Sequence, residues 1–141
     1  MSWRRCGRIE VLGGDLDPNA VFVTSQNLDK VGPATLARWD ARRLPLPTES
    51  VDRIVSNPPF GKQLGSIEQV LPLYTAAAAE WDRVLRPGGR AVFLVMEQLT
   101  LRNVLKAHRW EPTRQFKVRV LGQPAFLSVW QKPEFKGRMP G

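Results

Sequence analysis

The chain has 141 residues, 43% hydrophobic and 24% charged, a balance that supplies one hydrophobic core rather than two. No apolar run approaches the roughly 20 residues of a membrane span. Met1-Ser2-Trp3-Arg4-Arg5-Cys6 lacks the apolar stretch of a secretory signal, and a cytoplasmic location is the simplest expectation. Cys6 is the only cysteine and His108 the only histidine. An intrachain disulfide and a cysteine-based zinc site are excluded, and a histidine metal cluster or a Ser-His-Asp triad with a spare base is disfavoured. The net charge of +8 favours a polyanionic partner. The arginine-, alanine-, glycine- and proline-rich usage is also what GC-rich coding gives, so charge alone leaves nucleic-acid binding open.

Short apolar runs alternate with helical segments, which reads as α/β with a largely parallel sheet. Residues Arg8 to Leu16 form the first strand, closing on Gly13-Gly14-Asp15. Asp17 is a helix N-cap and Pro18 its first position, and that helix runs to about Val31 before Gly32-Pro33. Ala34 to Trp39 is a second strand that ends at Asp40. Pro45 and Pro47 punctuate a loop. Val51 to Ser56 is a third strand, stopped by Asn57-Pro58-Pro59-Phe60, because consecutive prolines cannot continue a ladder.

Ser66 and Gln69 have the spacing of a cap for a short turn. Leu71 to Leu85 is a helix with Pro72 in its first turn. Its Tyr74, Ala77, Ala78, Trp81, Val84 and Leu85 recur at helical spacing as a buried stripe, and Pro87-Gly88-Gly89 ends it. Ala91 to Met96 is an apolar strand suited to the centre of a covered sheet. Leu99 to His108 is helical. Arg114 to Leu121 and Ala125 to Gln131 pair antiparallel through Gly122-Gln123-Pro124. Lys132 to Gly141 reads as a frayed tail, so residues 1–132 are expected as a domain and 133–141 as a flexible extension.

The tetrapeptide Asn57-Pro58-Pro59-Phe60 carries the chemistry. The lone pair of an exocyclic amine on a base is delocalised into the ring. Two acceptors that bind both amino hydrogens draw it back onto nitrogen and aim it at an electrophilic methyl. The Asn57 side-chain oxygen and the Pro58 carbonyl, stiffened by the Pro-Pro pair, suit that task by positioning and electrostatics. Phe60 offers a face on which an extruded base stacks. The alternative is a plain turn after a strand. The carboxyl end of a strand in an α/β sheet is where ligands bind, and this favours the functional reading.

From Gly13 to about Gly89 the sequence resembles the THUMP-associated family of RNA guanine-N2 methyltransferases. The resemblance lies in Gly14-Asp15-Leu16-Asp17, in Trp39-Asp40-Ala41-Arg42-Arg43-Leu44-Pro45, in Val51 through Gly61 and in Arg83-Val84-Leu85-Arg86-Pro87-Gly88-Gly89. It implies a Rossmann-like class I methyltransferase sheet, mostly parallel with a C-terminal antiparallel hairpin. It implies S-adenosylmethionine (SAM) as cofactor and tRNA as partner, with no metal and no membrane.

By the same resemblance Asp15 accepts the ribose hydroxyls of the cofactor, while Asp40 and the Ala41 N–H take its adenine. Asn57, Pro58 and Phe60 are the catalytic residues, Asn57 also contacts the cofactor, and Pro59, Phe60 and Lys62 meet the target nucleotide. Arg42 and Arg43 read as surface charge, Trp39 and Trp81 as core. A family member also carries a first, central strand with a Gly-rich loop upstream of Asp15, and a THUMP domain. Met1 to Gly7 shows neither the strand nor the loop, so the chain is expected as the carboxyl-terminal part of the catalytic domain. Guanosine N2 in tRNA is the leading target, with adenine N6 of DNA or rRNA, or a non-catalytic RNA-binding remnant, as alternatives.

Overall fold

A computed structural model describes residues 10–15, 19, 22, 26, 35–58 and 67–134. It divides into two compact units, Met1–Leu44 and Pro45–Gly141. In the first, β1 (Leu12–Asp15) and β2 (Thr35–Arg38) pair in parallel, with Leu12 opposite Thr35 and Asp15 opposite Arg38. The pairing starts one residue earlier, where the Thr35 N–H donates to the Val11 carbonyl at 2.9 Å. Gly14 is needed for space: a Cβ there would run into the Trp39 indole. Both strands lie within their expected ranges. The helix expected from Asp17 to Val31 falls largely outside the described residues, of which Asn19, Phe22 and Gln26 are helical.

Among its described residues the second unit holds a sheet and two helices, in the chain order β3 (Val51–Ser56), α1 (Val70–Val84), β4 (Leu85–Val95), α2 (Gln98–Ala107), β5 (Glu111–Val120) and β6 (Gln123–Gln131). The strands lie in the order β3-β4-β6-β5. β3 and β4 are parallel, whereas β6 is antiparallel to both β4 and β5. The expected combination of parallel strands and a C-terminal antiparallel hairpin is therefore present. A 3-10 turn, Ile67–Gln69, leads into α1.

The α1 stripe packs as its spacing requires. Tyr74, Ala77, Ala78, Trp81 and Val84 are buried, and the Trp81 and Phe93 rings meet at 4.7 Å with a 48° tilt. Ala91, Phe93 and Val95 alternate inward on β4 and are fully buried. These positions put α1 on the Phe93 face of the sheet. Pro72 is the third helical residue, where the backbone N–H groups have no intrahelical acceptor, so its missing donor costs nothing.

Three local expectations are corrected. First, Pro87-Gly88-Gly89 does not end α1. Leu85 is already extended, at φ −76° and ψ 134°, and begins β4 directly. The register jumps from Val51 opposite Leu85 to Arg53 opposite Arg90, so Arg86-Pro87-Gly88-Gly89 is a bulge inside the strand. Gly88 takes φ +77° there, and its N–H points to the Lys132 and Pro133 carbonyls at 3.2 and 3.3 Å.

Second, the hairpin turns on Leu121-Gly122, with φ +50° and +79°, and Gln123 and Pro124 belong to β6. Positive φ at both central residues is the two-residue turn that matches strand twist.

Third, Lys132 is not frayed. It is 4% exposed, and its ammonium donates to the carbonyls of Asp82 and Leu85, both at 2.7 Å. Those acceptors lie at the C-terminal end of α1, where carbonyls lack helical partners and the helix dipole is negative. A buried charge is tolerated where such acceptors satisfy it.

Candidate active site

Asp15 is the last residue of β1, level with Arg38 at the end of β2, and Asp40 follows two residues later. The structure therefore carries both sequence-chosen aspartates to the carboxyl end of one parallel pair, the end at which open α/β sheets bind ligands. Asp40 opens a tight turn in which its carbonyl accepts from the Arg43 N–H at 2.9 Å. Ala41 is in that turn.

Sequence reasoning left Arg42 as surface charge, but it closes on Asp40. Its backbone N–H donates to Oδ1 at 2.9 Å, Nε lies 3.0 and 3.1 Å from the two carboxylate oxygens, and Nη2 lies 2.7 Å from Oδ2. The guanidinium and the Arg42 N–H together hold the Asp40 carboxyl below the usual carboxylate range. Asp40 is thus an ionised, acceptor-only group held in one orientation. The Asp-x-Arg spacing is the signal that would have found this pair.

In the second unit, β3 ends at Ser56 and delivers Asn57 exposed and Pro58 buried. A buried proline behind an exposed asparagine anchors the backbone while leaving the amide accessible. Pro59, Phe60 and Lys62 lie outside the described residues.

At the far end of α1, Asp82 Oδ1 accepts from the Trp110 indole N–H at 2.7 Å, and His108 Nδ1 stands 3.5 Å from Asp82 Oδ2. This network joins α1 to the residues after α2. It is structural, and the lone histidine is part of it. Tyr74 is fully buried, and desolvation, aided by the Glu97 charge, pushes its hydroxyl up to about 12. Among the described residues there is no group of three or more His, Cys, Asp or Glu side chains suited to a metal ion. None of their helices is long and apolar enough to cross a membrane.

A family model described as RMKL-like, methyltransferase domain, matches residues 3–124. The chain belongs to this family, UPF0020. Among curated relatives, it is 35% identical over 147 residues to the bovine (Bos taurus) tRNA (guanine(6)-N(2))-methyltransferase THUMP3, a match covering 92% of this chain and 28% of that protein. The UPF0020 chain thus spans less than a third of the length of that relative. Among solved structures, TrmN from Thermus thermophilus superposes with a TM-score of 0.72 at 28% identity, covering 92% of this chain and 38% of that one. A SAM-dependent methyltransferase from Methanosarcina mazei superposes with a TM-score of 0.70 at 14% identity, covering 88% and 82% of the two chains, and shows the shared fold. The Rossmann-like methyltransferase architecture expected from the sequence is thereby established for the UPF0020 chain.

Proposed function

We propose that this UPF0020 domain belongs to a SAM-dependent enzyme that methylates the N2 amine of a guanosine in tRNA. The observation that carries this reading is the exposed Asn57 on a buried Pro58 at the carboxyl end of β3, in a methyltransferase-family domain. The bovine relative's specificity supports the guanine and tRNA assignments. A cytoplasmic location goes with the same reading.

The residues present fit the cofactor in kind. Asp15 ends β1 and Asp40 lies two residues past the end of β2, and Asp40 is held ionised. In this assignment Asp15 accepts from the ribose hydroxyls, while Asp40 and the Ala41 N–H hold the adenine. Bound SAM supplies a methyl group on a sulfonium, an electrophile that needs no further activation. The Asn57 amide oxygen and the Pro58 carbonyl accept the two hydrogens of the guanine amine. Its lone pair is thereby localised on nitrogen and aligned for in-line attack. Phe60 stacks on the base, Pro59 shapes its slot and Lys62 meets a phosphate. Asn57 is neutral and takes no proton, so the amine proton released on methylation goes to water.

The test is transfer of labelled methyl from SAM to tRNA, followed by nucleoside analysis of the product. N2-methylguanosine is expected. N6-methyladenosine would replace the guanine assignment with the adenine alternative. Asn57→Ala is expected to slow transfer by a factor on the order of 100 or more, with cofactor affinity within about twofold of wild type. Full activity of that variant on tRNA would overturn the mechanism.

A further inference from the structure

The stretch Gln98 to Val120, comprising α2 and β5, carries Arg102, Lys106, Arg109, Arg114, Lys117 and Arg119 against one carboxylate, Glu111. Five of the eight net positive charges therefore fall in these 23 residues. All six cations are exposed, and none forms an ion pair with a described residue. Arg83 and Arg86 of the same unit, by contrast, are held by Glu80 and Asp52. Unpaired, solvated cations of one sign in one segment repel one another, and the repulsion is relieved when an anion settles on them.

Their placement is not uniform around the sheet. Lys117 lies opposite Phe126 and Arg119 opposite Pro124, whereas Arg114 lies opposite Val129. Since Phe126 pairs with Val95 and Val129 with Val92, Lys117 and Arg119 share the Val95 and Phe93 face, which α1 covers, and Arg114 points to the other face. α2 packs against α1, and on its outer side Arg102 and Lys106 are four residues apart, so they project together. On β5, Lys117, Val118 and Arg119 line with Pro124 an open cavity of about 360 Å³.

We propose that Arg102, Lys106, Lys117 and Arg119 form a docking surface for the phosphate backbone of RNA, separate from the Asn57 motif and on the helical side of the sheet. The choice of RNA rests on the tRNA reading above; the charge itself calls for a polyanion. Such a surface grips the backbone without reading bases. It would hold the substrate while Asn57 acts on a single nucleotide.

The experiment is fluorescence anisotropy of labelled tRNA with the full chain over a series of NaCl concentrations. Arg102→Gln, Lys106→Gln, Lys117→Gln and Arg119→Gln are combined in one variant, and Arg114→Gln stands alone as the opposite-face control. All five positions are exposed, and the thermal unfolding midpoint is expected to stay unchanged. The combined variant should bind tRNA at least tenfold more weakly. Its plot of log affinity against log salt should be shallower by about 3, since each phosphate contact contributes roughly 0.7–0.9. Arg114→Gln should leave the slope as in wild type.

A wild-type slope in the combined variant overturns the surface while leaving the methyltransferase reading intact. So does an equal loss in Arg114→Gln, which would reveal only diffuse charge. Failure of the wild type to bind tRNA at all removes the surface and the tRNA substrate together. Binding of the wild type to phosphatidylglycerol vesicles, lost in the combined variant while tRNA binding is unchanged, would overturn the RNA assignment in favour of a lipid surface.

Discussion

Arg42 engages Asp40 through its backbone N–H and two guanidinium nitrogens, at 2.7–3.1 Å. The pair is a turn fastened by its own side chains, and it sets both the charge and the aim of a carboxylate assigned to the cofactor. In Arg42→Ala the Asp40 carboxyl should titrate closer to the ordinary carboxylate range, read from its carbon resonance across a pH series. Because its native value is lowered, the pair's stabilisation is present above the unfolded value and is lost as pH falls through the folded one. Asp40→Asn should weaken SAM binding roughly tenfold, the effect of losing one charge-assisted hydrogen bond, measured by calorimetry. Unchanged affinity would remove Asp40 from the cofactor site.

Tyr74 is the chain's only tyrosine, so its ionisation can be followed directly by the ultraviolet absorbance of phenolate. It should ionise at about 12. The unfolded chain releases that proton near pH 10, so between these values the folded state binds more protons and stability falls as pH rises. The loss should approach about 2–3 kcal/mol by pH 12. Tyr74→Phe should flatten this alkaline slope in denaturant titrations. A native phenolate transition near pH 10 would contradict the buried environment.

Lys132→Met keeps the stem and removes the ammonium. Two buried carbonyls, those of Asp82 and Leu85, then lose their donor. The expected cost is about 1–3 kcal/mol, measured by urea unfolding. Trp110→Phe, which takes the indole N–H from Asp82, should cost a similar amount. The two effects should not add, since both act on the same turn of α1.

Leu121 is 98% exposed and occupies a left-handed conformation that a leucine tolerates poorly. Leu121→Asn forfeits no packing and installs Asn-Gly, the pair that two-residue hairpins favour. It should stabilise the protein by about 0.5–1 kcal/mol, whereas Gly122→Ala should destabilise it by about 1 kcal/mol. Thermal unfolding of both variants checks the turn assignment.

These residues also show what a sequence reveals and what it hides. β3 matched its predicted limits, Val51 and Ser56, because a β-branched run stops against prolines, and both signals are local. α1 was legible through its stripe. The start of β4 was not, because Arg-Pro-Gly-Gly has the local chemistry of a helix stop, and only pairing with β3 shows that it is a bulge. Lys132 was misplaced for a related reason: its acceptors lie 50 and 47 residues away, and a lysine near a chain end carries no mark of burial. In the hairpin, leucine is not a turn residue by propensity, so the turn was displaced towards glycine and proline. The candidate site was legible as a motif and two strand-end aspartates. The Arg42 clasp was passed over because an arginine beside an aspartate is so often solvated.

The strand order has a consequence for synthesis. β6 is the last of the described strands in sequence, yet it lies inside the four-stranded sheet, between β4 and β5. Until Gln123–Gln131 has left the ribosome, β4 lacks its second neighbour and β5 has no pairing partner among the described strands. From the completion of β4 at Val95 to that of β6 at Gln131 the nascent chain therefore carries an unpaired β4 edge, the kind of exposed edge that invites mispairing. Folding of this unit is gated by its final strand, and stalled or prematurely terminated chains should be cleared rather than accumulate as partial domains.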